Sequence, residues 1–437
     1  MSTNRQVRQL EAAKGLAREL AAKLDLDASL RLWDGSIVPL GRKVSSELQV
    51  IINAPGVISS LLRHPSLDRV IRHYAHGHID FSGGTLIDIG EQLSFKKSRG
   101  RLKKIGKREL FDFVKPFLFA PALKPEASRG YAGDEMGAPR SRTKDDDKAF
   151  IQFHYDLSNE FYDLFLDERM VYTCAYFTDW SNSIDQAQHD KLDLICRKLR
   201  LKEDERFLDI GCGWGGLVCH AAKHYGVEAH GVTLSQEQFD YAQAKIKQLG
   251  LEGRVIVELK DYTHLDQKFD KIASVGMAEA IGVPNMPTYL KTINRLLVDK
   301  GLFLNHAISR KGNKKKRRFS ARAEQRALLK YIFPGGELDD LGNTIQAMEQ
   351  HGFEVMDVEG LREHYLLTTK HWCERLTANR EEAIKLVGEE AYRIWVAYLG
   401  GVSLAFLRGT ARLYQTLVSK NPKGPTKLPP TRADLYR

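Results

Sequence analysis

The chain has 437 residues, of which 43% are hydrophobic and 28% charged, a composition that excludes a mostly disordered protein. Lysine and arginine outnumber aspartate and glutamate by 66 to 56, and this formal net charge of +10 suits an anionic partner. No run approaches the roughly 18 apolar residues of a membrane span, and the polar first residues lack the apolar core of a secretory signal, so we expect a cytoplasmic protein.

The first part of the chain predicts a small domain. Apolar residues recur at steps of three and four over residues 5–26, which indicates an amphipathic helix. Short alternating runs follow, and then a helical pattern that Pro65 interrupts. We predict an α+β domain over residues 1–119. Because residues 120–148 are rich in proline, glycine, serine and charge, we predict a flexible linker after it.

Residues 149–419 predict a different, α/β architecture. RFLDIG, VEAHGVTLS, VIVELKD and LFLNHAIS read as strands that alternate with helical patterns, which favours a doubly wound, mostly parallel sheet. One crossover helix is expected to bury Phe239, Ala242, Ile246 and Leu249. Residues 420–437 are predicted to form a proline-rich tail.

A glycine-rich turn, LDIGCGWGG, lies between a predicted strand and a helix. Gly211, Gly213 and Gly215 have the G-x-G-x-G spacing that lets a ligand approach the backbone closely. The absence of G-K-[ST] argues against a phosphate-binding loop. Gly216 keeps a dinucleotide site open, but the next strand ends in VTLS, without an acidic residue for a ribose hydroxyl. The turn therefore favours a small-nucleoside site over a purely structural turn.

The cysteines argue against a metal. The chain has five of them, an odd number, and none forms a C-x-x-C pair. We therefore expect reduced thiols and no metal site.

Several motifs occur together in one order. FIQFHYDLSNEFYDLFLD, MVYTCAYF, LDIGCGWGG, GVTLSQEQ, GMAEAIG and NHAIS resemble the cyclopropane-fatty-acid synthase family of S-adenosylmethionine-dependent methyltransferases, from Phe150 to beyond Tyr365. The resemblance implies a class I methyltransferase fold preceded by a lipid-binding domain. It also implies methyl transfer from S-adenosylmethionine to the cis double bond of a phospholipid acyl chain, which then closes to a cyclopropane.

The resemblance implies a set of cofactor contacts. Gly211 and Gly213 would lie against the methionine part, and the segment around Tyr172 would close over it. Residues after the second and third strands would face the ribose and the adenine. The full set is Tyr172, Thr173, Gly211, Gly213, Thr233, Leu234, Gln238, Asp261 and Tyr262.

The resemblance further implies a bound bicarbonate as the proton acceptor. The matching residues are Cys174, Glu279, His306, Tyr365 and, through its backbone amide, Ile308. Glu279 would orient the anion, while His306 and Tyr365 would donate hydrogen bonds. A carboxylate in the apolar setting GMAEAIG also calls independently for a partner or a function, because an unpaired buried charge is costly.

Methyl transfer to an alkene leaves a carbocation, and aromatic faces can stabilise a cation. Most aromatic residues near the motifs are nevertheless expected to pack in the core. The candidates are Phe153, Tyr155, Phe161, Tyr162, Tyr172, Tyr176, Phe177 and Trp372.

One departure from the family pattern leaves the product open. Ala278 and Ala280 flank Glu279 where many ring-forming members carry phenylalanine and histidine. The cation could then lose a different proton and give a methyl-branched unsaturated chain without a ring.

The expected partner is an unsaturated phospholipid in an anionic membrane. Basic runs within residues 96–108 and 311–318 could dock the protein on the inner face of the membrane as a peripheral protein. Neither run is interleaved with stacking aromatics, so no nucleic-acid partner is expected. The family resemblance implies a homodimer. Two other classes stay open: a non-catalytic lipid-binding protein and a nucleic-acid methyltransferase.

Overall fold

The computed structural model describes residues 2–95, 107–124, 157–312, 326, 330–331, 337–420, 423–426 and 428–436. Most of the predicted linker and of the two basic runs lies outside these ranges, as do Phe153 and Tyr155. Among the described residues no helix is long and apolar enough to cross a membrane. The chain divides into two compact units. The first is Met1–Tyr131, Arg322–Leu328 and Val387–Leu404, and the second is Ala132–Ala321, Leu329–Leu386 and Ala405–Arg437.

The first unit contains a four-stranded sheet with helices, as predicted for its α+β class. The strands, in the order β2-β1-β3-β4, pair antiparallel except for β1 with β3. Their bounds are β1 Ser29–Arg31, β2 Ile37–Pro39, β3 Gln49–Ile52 and β4 Ile79–Ser82. The helices are Ser2–Leu24, Pro55–Arg63, Leu67–Ala75, Leu86–Phe95 and Lys107–Leu118.

The predicted helix break at Pro65 is confirmed. One helix ends at Arg63, and the next begins at Leu67 after Ser66, whose side chain accepts a hydrogen bond from the amide of Arg69. A serine in this position satisfies an amide that the first helical turn would otherwise leave unpaired.

The helix Glu389–Leu407 is distant in sequence from the first unit, yet its residues up to Leu404 belong to it. The Arg393 guanidinium is almost fully buried and lies 3.0 Å from Asp80 Oδ2. Leu404 packs so closely on Gly90 that a Cβ there would lie 2.2 Å from it. From the sequence, this helix was predicted to belong to the domain of residues 149–419. Its own pattern does not show that its partners lie more than 300 residues earlier in the chain.

The second unit is built on a seven-stranded sheet of order β10-β11-β9-β8-β5-β6-β7. β5 pairs in parallel with β6 and β8, β6 with β7, and β8 with β9, while β11 runs antiparallel to β9 and β10. The strands are β5 Arg206–Ile210, β6 Glu228–Thr233, β7 Val255–Leu259, β8 Phe269–Val275, β9 Leu297–Arg310, β10 Glu354–Gly360 and β11 Ala411–Ser419. The predicted doubly wound, mostly parallel α/β sheet is confirmed.

The helices of this unit lie between and after the strands. They are Asn159–Asp163, Ile184–Leu199, Gly216–Tyr225, Gln236–Gln248, Ala278–Ile281, Met286–Leu296, Leu341–Gln350, Arg362–Ala378 and Arg380–Val387. In the helix Gln236–Gln248, Ala242 and Ile246 are buried as predicted. The prediction for Leu249 was wrong: it is the residue that ends the helix, and 39% of it is exposed.

The last residues pack onto the second unit. Leu435 is buried, and the guanidinium of Arg200 lies 2.7 Å from a carboxylate oxygen of Asp434. Arg432 makes a further ion pair with Asp357 at 3.1 Å. The proline-rich stretch therefore ends in a docked segment.

Strand order determines where a ligand can bind. Sheet order reverses at β5, whose neighbours β6 and β8 are followed by separate loops at the same carboxyl edge. In open parallel sheets the crevice at such a switch point is the usual ligand site. The glycine-rich turn directly follows β5 and therefore lies in this crevice.

Candidate active site

The glycine-rich turn requires glycine at two of its positions for different reasons. Gly211 and Gly213 have φ angles of 77° and 53°, a region that L residues seldom adopt. A Cβ on Gly211 would also lie 2.3 Å from Met277 Sδ, whereas one on Gly213 would meet no atom within 4 Å. Gly211 thus permits close packing beneath the turn, and Gly213 faces open space that a ligand can occupy.

The residues predicted to face the ribose follow β6. Thr233 Oγ1 donates to Gln238 Oε1 at 2.7 Å, and both side chains are buried. Ser235 caps the following helix by accepting from the amide of Gln238. Leu234 lies between them and is partly buried. These residues are therefore held at the same sheet edge as the glycine-rich turn.

The residues predicted to face the adenine follow β7. Asp261 Oδ1 accepts hydrogen bonds from the amide of Thr263 at 2.8 Å and from its hydroxyl at 2.7 Å. The carboxylate thus caps the short helix Tyr262–His264, and its second oxygen is left for other partners. Tyr262 packs edge-on against Tyr289. Both residues follow β7 at the carboxyl edge of the sheet, and their contact with a cofactor stays a prediction.

Aromatic side chains connect the turn to the rest of the site. The Tyr162 ring lies 5.0 Å from Trp214 of the turn and 5.6 Å from Tyr172. Tyr172 in turn lies 5.1 Å from Trp372, which packs edge-on against Tyr365. Of the predicted aromatic candidates, Phe161, Tyr162, Phe177 and Trp372 are buried, while Tyr172 and Tyr176 are partly buried.

Thr173 and Cys174 continue from Tyr172. A Cβ on Gly276, after β8, would lie 3.1 Å from Thr173 Cγ2, so Thr173 borders the same crevice. Cys174 is completely buried, and its thiol lies 3.2 Å from the carbonyl of Ala175 and 3.9 Å from that of Leu361. Burial raises the pKa of this thiol, so it is protonated at neutral pH.

Glu279 and Ile308 are in direct contact. The Ile308 amide donates to Glu279 Oε1 at 2.6 Å, while Glu279 Oε2 is inaccessible to solvent and has no hydrogen-bond partner among the described residues. The residue as a whole is only partly buried, but its carboxylate is enclosed. Burial raises the pKa of Glu279 to about 7, against the lowering effect of the Ile308 amide.

His306 precedes Ile308 by two residues on β9, so both side chains point to the same face of the sheet. Gln415, directly opposite on β11, lies with Nε2 3.1 Å from His306 Nδ1 and with Oε1 2.7 Å from Lys198 Nζ. Lysine can only donate, so the Gln415 oxygen faces it and the Gln415 amide nitrogen donates to His306. Lys198 also pairs with Glu359.

This arrangement fixes the state of the histidine. Burial lowers the pKa of His306 well below its usual value, so the ring is neutral. Because Nδ1 accepts from Gln415, the ring proton is on Nε2. That Nε2 is buried and has no hydrogen-bond partner within the described ranges. His306 thus presents a buried donor at Nε2, and its predicted bond to an anion stays a prediction.

Tyr365 is joined to the same region through the start of the helix Arg362–Ala378. The Tyr365 amide donates to the carbonyl of Leu361, which the Cys174 thiol also approaches. The Leu361 amide donates to Leu413, and Leu413 pairs with Ile308 across β11 and β9. Tyr365 and Cys174 are thus linked through Leu361 and Leu413 to Ile308, which contacts Glu279 directly, while the joint role of these residues stays a prediction.

Two buried side chains were missed by the sequence analysis. Lys191 Nζ donates to Thr173 Oγ1 at 2.8 Å, and burial lowers the pKa of Lys191 to about 8. Burial also raises the pKa of Asp209, in β5, to about 7, although Lys191 lowers it. A usable signal existed, because Lys191 and Lys198 are seven residues apart and share the buried stripe of the helix Ile184–Leu199.

The fold and the site define an S-adenosylmethionine-dependent methyltransferase of class I. The structure is similar to that of mycolic acid cyclopropane synthase CmaA1 complexed with SAH and CTAB, with a TM-score of 0.60 and 31% identity over 64% of this chain and 100% of that one. The family model described as mycolic acid cyclopropane synthetase matches residues 142–416. The chain belongs to this family.

Two relatives differ in how much of the chain they match. A probable fatty acid methyltransferase of Pseudomonas putida is 37% identical over 95% of this chain and 97% of its own length. The cyclopropane-fatty-acyl-phospholipid synthase of Escherichia coli is 39% identical over 61% of this chain and 66% of its own. The predicted family membership is confirmed, and with it a lipid methyltransferase that uses S-adenosylmethionine.

Proposed function

We propose that the protein transfers a methyl group from S-adenosylmethionine to the cis double bond of a phospholipid acyl chain and closes a cyclopropane ring. The observation that carries this proposal is the enclosed Glu279 carboxylate, with a pKa of about 7 and an unpaired Oε2. A group with this pKa can accept a proton near neutral pH and release it again.

The residues present fit the methyl donor. The open space at Gly213 accepts a ligand against the backbone, and the side chains after β6 and β7 line the same edge. When bound, S-adenosylmethionine supplies an electrophilic methyl group, whose transfer leaves a carbocation on the acyl chain. The aromatic faces of Tyr172 and Trp372 suit this cation, and the burial of Trp372 supports the exclusion of water.

The residues fit bicarbonate only in part. Glu279 Oε2 and His306 Nε2 are the buried polar atoms that would hold it, since neither has a partner in the described part of the chain. The Ile308 amide and the Cys174 thiol, which the family pattern assigns to the same anion, lie instead against protein oxygens. Bicarbonate would supply a proton acceptor when bound. Without bicarbonate, the Glu279 carboxylate, which contacts the Ile308 amide, would accept the proton itself.

A second candidate is methylation without ring closure. Ala278 and Ala280 leave more room beside Glu279 than phenylalanine and histidine would, so a proton could be lost from the chain instead of from the new methyl group. A relative that matches 95% of this chain carries the name probable fatty acid methyltransferase.

Deuterium counting separates the two products. The purified protein is incubated with S-adenosylmethionine carrying a fully deuterated methyl group and with vesicles of an unsaturated phospholipid. Ring closure retains two of the three deuterium atoms, whereas a methyl-branched alkene retains all three. Proton NMR of the unlabelled product then looks for the upfield cyclopropane methylene, and its absence would contradict ring closure.

We also propose that the substrate is reached from an anionic membrane surface. Phe111 and Phe119 of the first unit are 53% and 86% exposed. Phe111 lies in the helix Lys107–Leu118, which begins where the first basic run ends, and Phe119 directly follows that helix. Apolar rings that insert among lipids, next to lysines that attract anionic headgroups, are a common means of peripheral binding.

A further inference from the structure

We propose that His189, His220 and His224 form a binding site for a transition-metal ion, such as Zn²⁺, on the second unit. His220 and His224 lie one turn apart on the helix Gly216–Tyr225, and His189 lies on the helix Ile184–Leu199. One potential ligand atom from each ring lies within 4.8 Å of the other two. Small rotations of the rings bring such nitrogens to the separation of about 3.4 Å that tetrahedral zinc requires.

The three rings contact one another, but they do not provide hydrogen-bond partners for one another's nitrogens. Ring centroids are 4.5 Å apart for His220 and His224 and 5.2 Å apart for His189 and His220. His220 is 6% exposed, and its Nε2 has no hydrogen-bond partner among the described residues. Nδ1 of His189 is also buried and without a hydrogen-bond partner among them. A buried polar atom without a partner is costly, and a metal ion would satisfy it.

The protonation state suits metal binding. Burial, together with the neighbouring histidines, lowers the pKa of His220 to about 3, and burial also lowers the pKa of His224. Neutral imidazole is the form that ligates zinc, copper and nickel, so these rings need lose no proton at neutral pH.

Two carboxylate side chains lie close to the rings, as is common around metal sites. Asp193 Oδ1 lies 3.9 Å from His220 Nε2, and Asp190 Oδ1 lies 3.6 Å from His189 Nδ1. The Tyr225 hydroxyl donates to Asp193 Oδ1 at 2.6 Å and holds it in place. Such carboxylates offset the charge of a bound cation. With three protein ligands and His224 exposed, the fourth position is left to water.

The site would connect two helices of the methyltransferase unit. One of them, Gly216–Tyr225, begins immediately after the glycine-rich turn. A metal that joins it to the helix Ile184–Leu199 would stabilise the folded chain by an amount that grows with the logarithm of the free metal concentration once that concentration exceeds the dissociation constant. The cysteine pattern predicts no metal, whereas the H-x-x-x-H spacing of His220 and His224 is a signal for one.

The test uses untagged full-length protein, freed of metal by a chelator, and Zn²⁺ alone as the probe. We expect one Zn²⁺ per chain in equilibrium dialysis, and a His224→Gln variant with at least about tenfold weaker binding. His64→Gln, which removes an exposed imidazole from the first unit, is the matched control and should bind as the wild type does. Co²⁺ in place of Zn²⁺ should give the visible absorption of a tetrahedral site only when His224 is present.

Thermal melting without metal checks that both variants are folded. A Zn²⁺-dependent rise in melting temperature in the wild type and in His64→Gln, but not in His224→Gln, would support the site. The proposal is overturned if the wild type binds no zinc at one equivalent per chain, or if His224→Gln and His64→Gln bind it equally well.

Discussion

The two sides of the active site are built by different means. At the edge that follows β5, β6 and β7, backbone conformation makes the site, with Gly211 and Gly213 at positive φ and side chains held by local caps. Between β9 and β11, buried polar side chains make it, and Gln415 reaches His306 from 109 residues away. We therefore expect the first side to lose its function when the backbone geometry changes. The second side should lose its function when a charge or the position of a proton changes.

The most severe test of the second side is Glu279→Gln. Glutamine can still accept from the Ile308 amide but cannot take up a proton, so we expect turnover to fall by about a thousandfold. Affinity for S-adenosylmethionine, measured by calorimetry, should stay within about twofold. Wild-type turnover in this variant would remove Glu279 from the chemistry.

The corresponding test of the first side is Gly211→Ala. A left-handed backbone costs alanine about 1 kcal/mol, and the added Cβ would lie 2.3 Å from Met277 Sδ. We expect affinity for S-adenosylmethionine to fall by about a hundredfold, which a calorimetric titration would measure. Gly250→Ala is the control, because Gly250 has a φ of 65° but open space around it. Equal losses in both variants would show that backbone strain alone matters.

The pH dependence of turnover distinguishes the two sides of the active site, because only the second side depends on an ionisable group. Glu279 must be ionised to accept a proton, and its pKa is raised to about 7. Turnover should therefore rise about tenfold per pH unit below pH 7 and level off above it. Binding of S-adenosylmethionine should change little over this range. A turnover that is flat from pH 5 to pH 8 would contradict the assignment.

A smaller effect is expected from the residue behind His306. In Gln415→Glu the side chain can accept but not donate, so the His306 proton should move from Nε2 to Nδ1. We expect turnover to fall by about tenfold with the Michaelis constant for lipid unchanged. Nitrogen NMR of the labelled ring reports the tautomer directly. An unchanged tautomer together with lost activity would assign Gln415 a merely structural role.

The smallest expected effect concerns the membrane. Phe119→Ser should weaken binding to anionic vesicles by a few-fold in sedimentation, and added salt should weaken the remainder. Ile256→Ser, which removes an equally apolar side chain that is 57% exposed on the second unit, should bind as the wild type does. If both variants lose vesicle binding alike, Phe119 has no special part in docking.

The sequence predicts the two sides unequally. The glycine-rich turn, Thr233 and Asp261 follow predicted strands, and parallel strands bring their carboxyl ends together, so their common location could be deduced. His306 and Tyr365 were identified only because several motifs together resemble a known family, whereas the apolar setting of Glu279 also indicated a function by itself. Their spatial proximity depends on the register of β9 with β11, which no local pattern reveals.

Two further features show the same limit. The contact of Lys198 with Gln415 joins residues 217 positions apart, and a lysine within a helix normally reads as exposed. The helix Glu389–Leu407 carries an apolar pattern that would suit either unit, and its partner is revealed by contacts such as the pairing of Arg393 with Asp80 and the packing of Leu404 on Gly90. Local features can thus be predicted from the sequence, whereas contacts between residues far apart in the chain cannot.

The central claim is tested most directly by following the methyl group itself. Purified protein is mixed with S-adenosylmethionine carrying a deuterated methyl group and with vesicles of an unsaturated phospholipid, and both products are quantified. The account predicts that S-adenosylhomocysteine and deuterium-labelled acyl chains appear in equal amounts, with the label at the former double bond. S-adenosylhomocysteine formed without label in the acyl chains, or no turnover at all with such vesicles, would contradict it.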